Sequence, residues 1–258
     1  MSKHICENCG NEFSGEYCNG CGQKLSHRIT MGHIGHELAH AFTHADRGLL
    51  HLFVQMFVKP GIVAREYILE GKRKRYFTPF QYILIIGTVA TFVAVNSHFI
   101  QAAATAISGP NDSERQARLM SKIATWQGKY YNFIILFQLP FYAFGAYMIY
   151  RKYKLNYAEH LTLQTLITAQ TTIFGMIIMG LVAVLGKPGM YIALPMTIIS
   201  VAYQAFAYTQ FFQERNVMGV SKAIVSNFLG FAFFIIALTL TILIAALLFY
   251  VFDRQALQ

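Results

Sequence analysis

Residues 226–251 read SNFLGFAFFIIALTLTILIAALLFYV, a run without a single Asp, Glu, Lys or Arg. Crossing about 30 Å of hydrocarbon at about 1.5 Å per residue takes roughly 20 apolar residues in a helix. The run is therefore long enough to span a bilayer. Moving toward the N-terminus, four more stretches satisfy the same test, at residues 190–212, 161–185, 130–150 and 80–106. None carries a charge in its middle, and Pro140 and Pro195 are expected to kink two of them, as neighbouring helices in a bundle tolerate.

Composition agrees with that reading. Of 258 residues, 55% are hydrophobic and 13% charged, against about a quarter charged in soluble domains. The expected fold class is an all-α polytopic membrane protein with about five transmembrane helices, preceded by a small zinc ribbon. Three regions follow: a cytosolic ribbon in residues 1–27, amphipathic interfacial helices with a basic hinge in 28–79, and a transmembrane domain in 80–252.

Loop charges orient the spans, because short cytosolic loops are enriched in Lys and Arg. Lys72, Arg73, Lys74 and Arg75 precede the first span, Arg151, Lys152 and Lys154 follow the second, and Arg215 and Lys222 lie between the last two. These segments share one side. The expectation is a multi-pass protein of the bacterial inner (plasma) membrane, N-terminus cytosolic and C-terminus outside, inserted by its first span because no cleavable signal peptide is evident. The net charge of +9 fits loop charges that hold topology and touch anionic lipid better than a nucleic-acid groove.

All four cysteines lie near the start, as Cys6-Glu7-Asn8-Cys9-Gly10 and Cys18-Asn19-Gly20-Cys21-Gly22. Two C-x-x-C pairs so spaced close a tetrahedron around one Zn²⁺, and the glycine after each pair permits the turn that aims backbone N–H groups at sulfur. A disulfide pairing is disfavoured in a reducing cytosol. With four protein ligands the shell is closed, so one structural zinc per chain is expected, in place of a core that so short a segment cannot build. Its outer surface suits docking of a cytosolic protein partner or serves only as a folded cap.

Residues 29–57 read as an amphipathic helix ending at Pro60-Gly61. At about 100° per residue, His33, His36, His40, His44 and His51 fall within about 80° of one another, opposite Met31, Leu38, Phe42, Leu49, Phe53 and Met56. Such a helix fits the plane of a membrane interface. His36-Glu37-Leu38-Ala39-His40 also matches the H-E-x-x-H pattern, in which two His one turn apart hold zinc and Glu activates water. The third ligand is the difficulty. His44 lies eight residues from His36, about 12 Å along one straight helix, too far to close on the same ion. His36, His40 and His44 thus define a second metal site only with help from another element, and Glu37 is a catalytic candidate only in that case.

The hinge adds a helix from Pro60 to the cap at Gly71, then Lys72 to Arg75 and the aromatics Tyr76 and Phe77, the manner in which a chain approaches an anionic leaflet. Lys72, Arg73, Lys74 and Arg75 are the candidate headgroup contacts, with a plain topology anchor as the alternative. Together, the knuckles ending in Cys21-Gly22-Gln23, then Asp46-Arg47-Gly48, Pro60-Gly61, Arg65-Glu66-Tyr67-Ile68, Gly71-Lys72-Arg73, Tyr76 and Pro79 resemble the bacterial membrane family of the domain of unknown function 3667. The resemblance covers the first 80 residues. It implies a cytosolic ribbon fused to a helical membrane domain, and no activity.

Buried ionisable residues, the usual mark of ion and proton pathways, are missing from the middle of every span. Uncharged polar residues are not: Gln164, Thr168, Thr171, Thr172 and Gly175 recur at helical spacing, and Gln204 can face them. The leading expectation is a non-enzymatic membrane scaffold or regulator that binds lipid or a partner at its cytosolic face. A small-molecule or lipid transporter or channel, in oligomeric form, is the first alternative, and a membrane zinc hydrolase using the HELAH segment the second.

Overall fold

The computed structural model describes residues 3–34, 48–96, 114–184 and 190–256. Two short strands, β1 (Lys3–Ile5) and β2 (Glu12–Ser14), pair antiparallel with His4 opposite Phe13. After them come α1 (Gly48–Val58), α2 (Pro60–Ile68), α3 (Pro79–Asn96), α4 (Glu114–Lys129), α5 (Tyr131–Ile149), α6 (Tyr157–Val184), α7 (Met190–Phe211) and α8 (Val217–Ala256). The molecule is an all-α membrane fold with a cysteine-rich hairpin at its N-terminus.

Among the described residues, four segments are long and apolar enough to cross a membrane: Arg73–Asn96, Tyr131–Ile149, Tyr157–Leu181 and Val217–Ile244. The remaining expected span is also one helix, α7. Helix α8 begins nine residues before the apolar run that announced it, at Val217. Lys222 explains the extension: it sits in the first turns and reaches back to both carboxylate oxygens of Glu214 at 2.9 Å.

Helix α6 is the centre, packed against α3, α5 and α7, while α8 lies outside against α5 and α7. Small residues set the α5–α8 seam. A Cβ on Gly145 would stand 2.6 Å from the backbone N of Gly230, so nothing larger than glycine admits this approach. Buried in α6 are Thr162, Gln164, Thr165, Thr168, Gln170 and Thr172. The threonine hydroxyls are satisfied within the helix itself, Thr162 donating to the Ala158 carbonyl at 2.9 Å and Thr165 to Leu161 at 2.7 Å.

The loops after α5 and α7 return to the same end of the bundle as the hairpin. Arg28 donates to the Lys154 carbonyl at 2.7 Å, and Lys152 pairs with Glu214. An aromatic cluster closes this end, with Tyr150 stacked on Phe212 at 4.0 Å between centroids and Tyr153 against the same ring at 4.5 Å. Opposite it, α4 is an amphipathic helix with Leu119, Met120, Ile123 and Trp126 exposed.

Candidate metal centre

The hairpin is built from two copies of one turn. In the first, Gly10 N–H donates to the Cys6 carbonyl and Cys6 N–H to the Asn11 carbonyl. In the second, Gly22 and Cys18 repeat those bonds with Cys18 and Gln23, all at 2.8–2.9 Å. Gly10 and Gly22 take φ of 74° and 73°, in the left-handed region that glycine adopts without strain. The turns bring Cys6 Sγ to 3.5 Å from Cys21 Sγ and Cys9 Sγ to 3.6 Å from Cys18 Sγ, with all four sulfurs within 4.8 Å of one another. Metal–sulfur bonds of about 2.3 Å in a tetrahedron put sulfurs about 3.8 Å apart. The donor set therefore fits one metal ion and is too widely spaced for a disulfide.

Burial disfavours the Cys18 thiolate, but N–H groups of Cys21 and Gly20 and the neighbouring thiols outweigh it, lowering the Cys18 pKa to about 6. Among the described residues the only buried apolar side chain around the sulfurs is Phe13, with Leu25 packed alongside. With so thin a core, an ion held by the four sulfurs would be the main stabiliser of the hairpin. Among the described residues this is the one cluster of His, Cys, Asp or Glu with metal-ligand spacing.

The hairpin is clamped to the hinge. Gln23, buried, donates through Nε2 to the Gly71 carbonyl at 3.0 Å and accepts from the Lys74 N–H at 3.2 Å, while Ser26 Oγ donates to the same Gly71 carbonyl. A second clamp lies further on. Arg28 grips both oxygens of Glu159 at 2.7 and 2.9 Å, and Asn156 Nδ2 donates to the Ile29 carbonyl. Glu159 is held from the other side by a capping box at the start of α6, where Asn156 Oδ1 accepts from Glu159 N–H and the Glu159 carboxylate accepts from Asn156 N–H. The hydrogen bonds to Glu159 hold the Arg28 guanidinium above its ordinary pKa. No sequence pattern announces an ion pair 131 residues apart.

The basic run is partly neutralised. Lys72 pairs with Glu70 at 2.8 Å and Glu66 at 3.8 Å, Arg75 with Glu66 at 3.5 Å, and Arg73 donates to the His27 carbonyl and lies 3.3 Å from His33 Nε2. The Lys74 and Arg75 side chains remain exposed. Helices α1 and α2 turn their apolar sides to the bundle: Leu52 and Met56 are fully buried, as are Val63 and Ala64, and Gly61 N–H donates to Gln210 Oε1 on α7. His51 stacks on Tyr76. His36, Glu37, His40 and His44 lie outside the described residues.

Residues 46–91, whose described part runs from Gly48 through α1, α2 and the basic run into α3, match the family described as Protein of unknown function (DUF3667), in agreement with the resemblance read from the sequence. No curated protein and no solved structure matches the chain.

Proposed function

We propose, from the premise that its hinge is that of the DUF3667 proteins, that this chain is a non-enzymatic membrane scaffold whose structural zinc ribbon is held as a fixed platform on one face of a helical bundle. The observation that carries this reading is the pairing of a four-sulfur donor set with two clamps, Gln23 on Gly71 and Arg28 on Glu159. Four cysteine ligands leave zinc no open position for water, so the ion's contribution is rigidity rather than chemistry. Thiolate donors suit zinc, and one ion per chain satisfies them.

The platform faces the bacterial cytosol, the C-terminus the opposite side of the inner membrane. Support comes from the shared position of the ribbon, Arg151, Lys152 and Lys222 at one end of the bundle, as the positive-inside rule requires. Lys74 and Arg75, the exposed members of the basic run, meet anionic headgroups, and the outer ribbon surface receives a cytosolic protein partner.

The test is metal content of the purified protein. One zinc per chain, lost in a Cys6→Ser, Cys9→Ser variant and retained in a His36→Ala, His40→Ala variant, is the expected result. A second zinc that disappears with the histidines overturns the reading and moves the chemistry to Glu37.

A further inference from the structure

A cavity of about 360 Å³ opens among α5, α6, α7 and α8, beyond the ribbon and the hinge. Its size falls within the range of small-molecule sites, which run from about 300 to 1,000 Å³. The polar part of its wall includes Gln138, Gln164, Thr168, Ser200, Gln204 and Asn227, and the apolar part includes Ile167, Val201, Phe228 and Phe231. Among the described residues no Asp, Glu, Lys, Arg or His contributes to the wall.

Gln164, Gln204 and Asn227 are each tied into the bundle, and Gln204 keeps one unmet N–H group. Gln164 Oε1 accepts from Tyr208 Oη at 3.1 Å, and its Nε2 donates to Thr168 Oγ1 at 3.4 Å. Gln204, on the cavity wall, accepts through Oε1 from Asn227 Nδ2 at 2.6 Å, which fixes the orientation of its amide and so of Nε2. That nitrogen is buried, on a side chain only 3% exposed, and has no hydrogen-bond partner among the described residues. At membrane depth an unmet N–H group has strong reason to find an acceptor.

The cavity reaches the outer surface beside α8. Phe228 and Phe231, on its wall, are 57% and 47% exposed and belong to the apolar face that α8 turns outward. Entry is thus from the lipid phase, past two phenyl rings, to a group of amides and hydroxyls. Those groups both donate and accept, which matches a hydroxyl; the lack of charge leaves a phosphate nothing to pair with.

We propose that this cavity binds the uncharged, hydroxyl-bearing head of a neutral glycerolipid, with the lipid hydroxyl hydrogen-bonded to the amides and hydroxyls of the wall, Gln204 among them, and the acyl chain leaving between Phe228 and Phe231. The site lies outside the scaffold reading and stands without it.

The experiment uses the full chain in nanodiscs and a short-chain diacylglycerol carrying a diazirine in one acyl chain. Irradiation is expected to label peptides covering residues 138–142, 196–204 and 227–231, saturably, with unlabelled dioctanoylglycerol competing and dioctanoyl phosphatidic acid competing poorly. Ser200→Phe, which fills the cavity, is expected to abolish that labelling, and Gln204→Met to weaken probe binding by about tenfold, as loss of one buried hydrogen bond does. Competition on the wild-type protein needs no variant to fold. Non-saturable labelling, equal competition by the phosphatidic acid, or labelling untouched by Ser200→Phe in a variant that keeps its metal and its melting temperature overturns the proposal.

Discussion

Helices α6 and α8 are both long, apolar and charge-free through their middles, yet they occupy opposite positions. In the membrane-length window of α6, 67% of residues are buried inside the protein; in that of α8 the share is 6%. The more polar helix is the interior one. In water the order would be reversed, because burial there follows apolarity. In lipid, apolar side chains have no preference for protein over acyl chains, and helix association relies on packing and on hydrogen bonds that hydrocarbon cannot supply. Gln164, Thr168 and Gln170 accordingly face other helices, whereas Phe228, Ile235, Leu240 and Ile244 face outward.

The strongest way to break this contrast is at the seam that keeps α8 attached. A side chain on Gly145 meets the backbone N of Gly230 at 2.6 Å and the Ser226 carbonyl at 2.8 Å, neither of which is a flexible group. Gly145→Leu is expected to cost about 3 kcal/mol and to separate α8 from α5. The check is cross-linking between single cysteines at Phe144 and Phe233, whose rings lie 5.2 Å apart. Full cross-linking in the variant would show that α8 tolerates displacement and that the seam does not hold it.

Next in size is the interior polar network. Tyr82 Oη donates to Gln170 Oε1 at 2.9 Å, both residues being fully buried, and Gln170 Nε2 already has no partner among the described residues. Tyr82→Phe strips the amide of its remaining bond and is expected to destabilise the bundle by about 1 to 3 kcal/mol. The matched change on α8, Thr241→Val, alters a hydroxyl bonded only to its own helix and is expected to stay within about 0.5 kcal/mol. Unfolding in a denaturing detergent measures both. Equal effects would remove the distinction between interior and lipid-facing polar groups.

A smaller effect is expected where α6 meets the ribbon. Arg28→Ala leaves Glu159 paired only with its own helix cap, and since the arginine is 57% exposed the loss should be about 1 kcal/mol. Its signature is local: faster proteolysis of residues 24–34 with unchanged melting of the bundle. A drop in bundle melting instead would mean that the clamp supports α6 itself.

Much of this contrast was visible in the sequence. Apolar runs located the spans to within a few residues at most ends, because length and absence of charge are imposed by the bilayer thickness. The interior face of α6 was legible as well, since Gln164, Thr168, Thr171 and Thr172 recur at helical spacing and Gln204 supplies the opposite wall. The cysteine spacing likewise pointed to the cluster in which the four sulfurs lie within 4.8 Å of one another, an arrangement that can hold a metal ion. What the sequence concealed is where an amphipathic face goes. The helix expected over residues 29–57 fits the membrane interface, apolar side toward acyl chains; in α1, which falls within that stretch, that side is instead buried in the bundle through Leu52 and Met56, as α2 is through Val63. Equally hidden were the pairings of charges: nearby, Glu66 and Glu70 absorb much of the basic run, and far along the chain Arg28 finds Glu159.

The least expected effect, and the most specific, lies at the loops that join α5 to α6 and α7 to α8. Glu214 accepts from Lys152, Tyr153 and Lys222, which lowers its carboxyl pKa from the ordinary 4.5 to about 2. A carboxylate with a depressed folded-state pKa contributes stability that is present above the unfolded value and lost as pH falls through the folded one. The contribution is therefore intact at pH 7, begins to fade below about pH 4.5, and is gone below about pH 2. Glu214→Gln is expected to melt slightly below the wild type at pH 7, with the gap narrowing at pH 3. Because these groups are open to solvent, the gap should also shrink in high salt. An offset that is the same at both pH values would mean that Glu214 acts through the shape of the turn rather than through its charge.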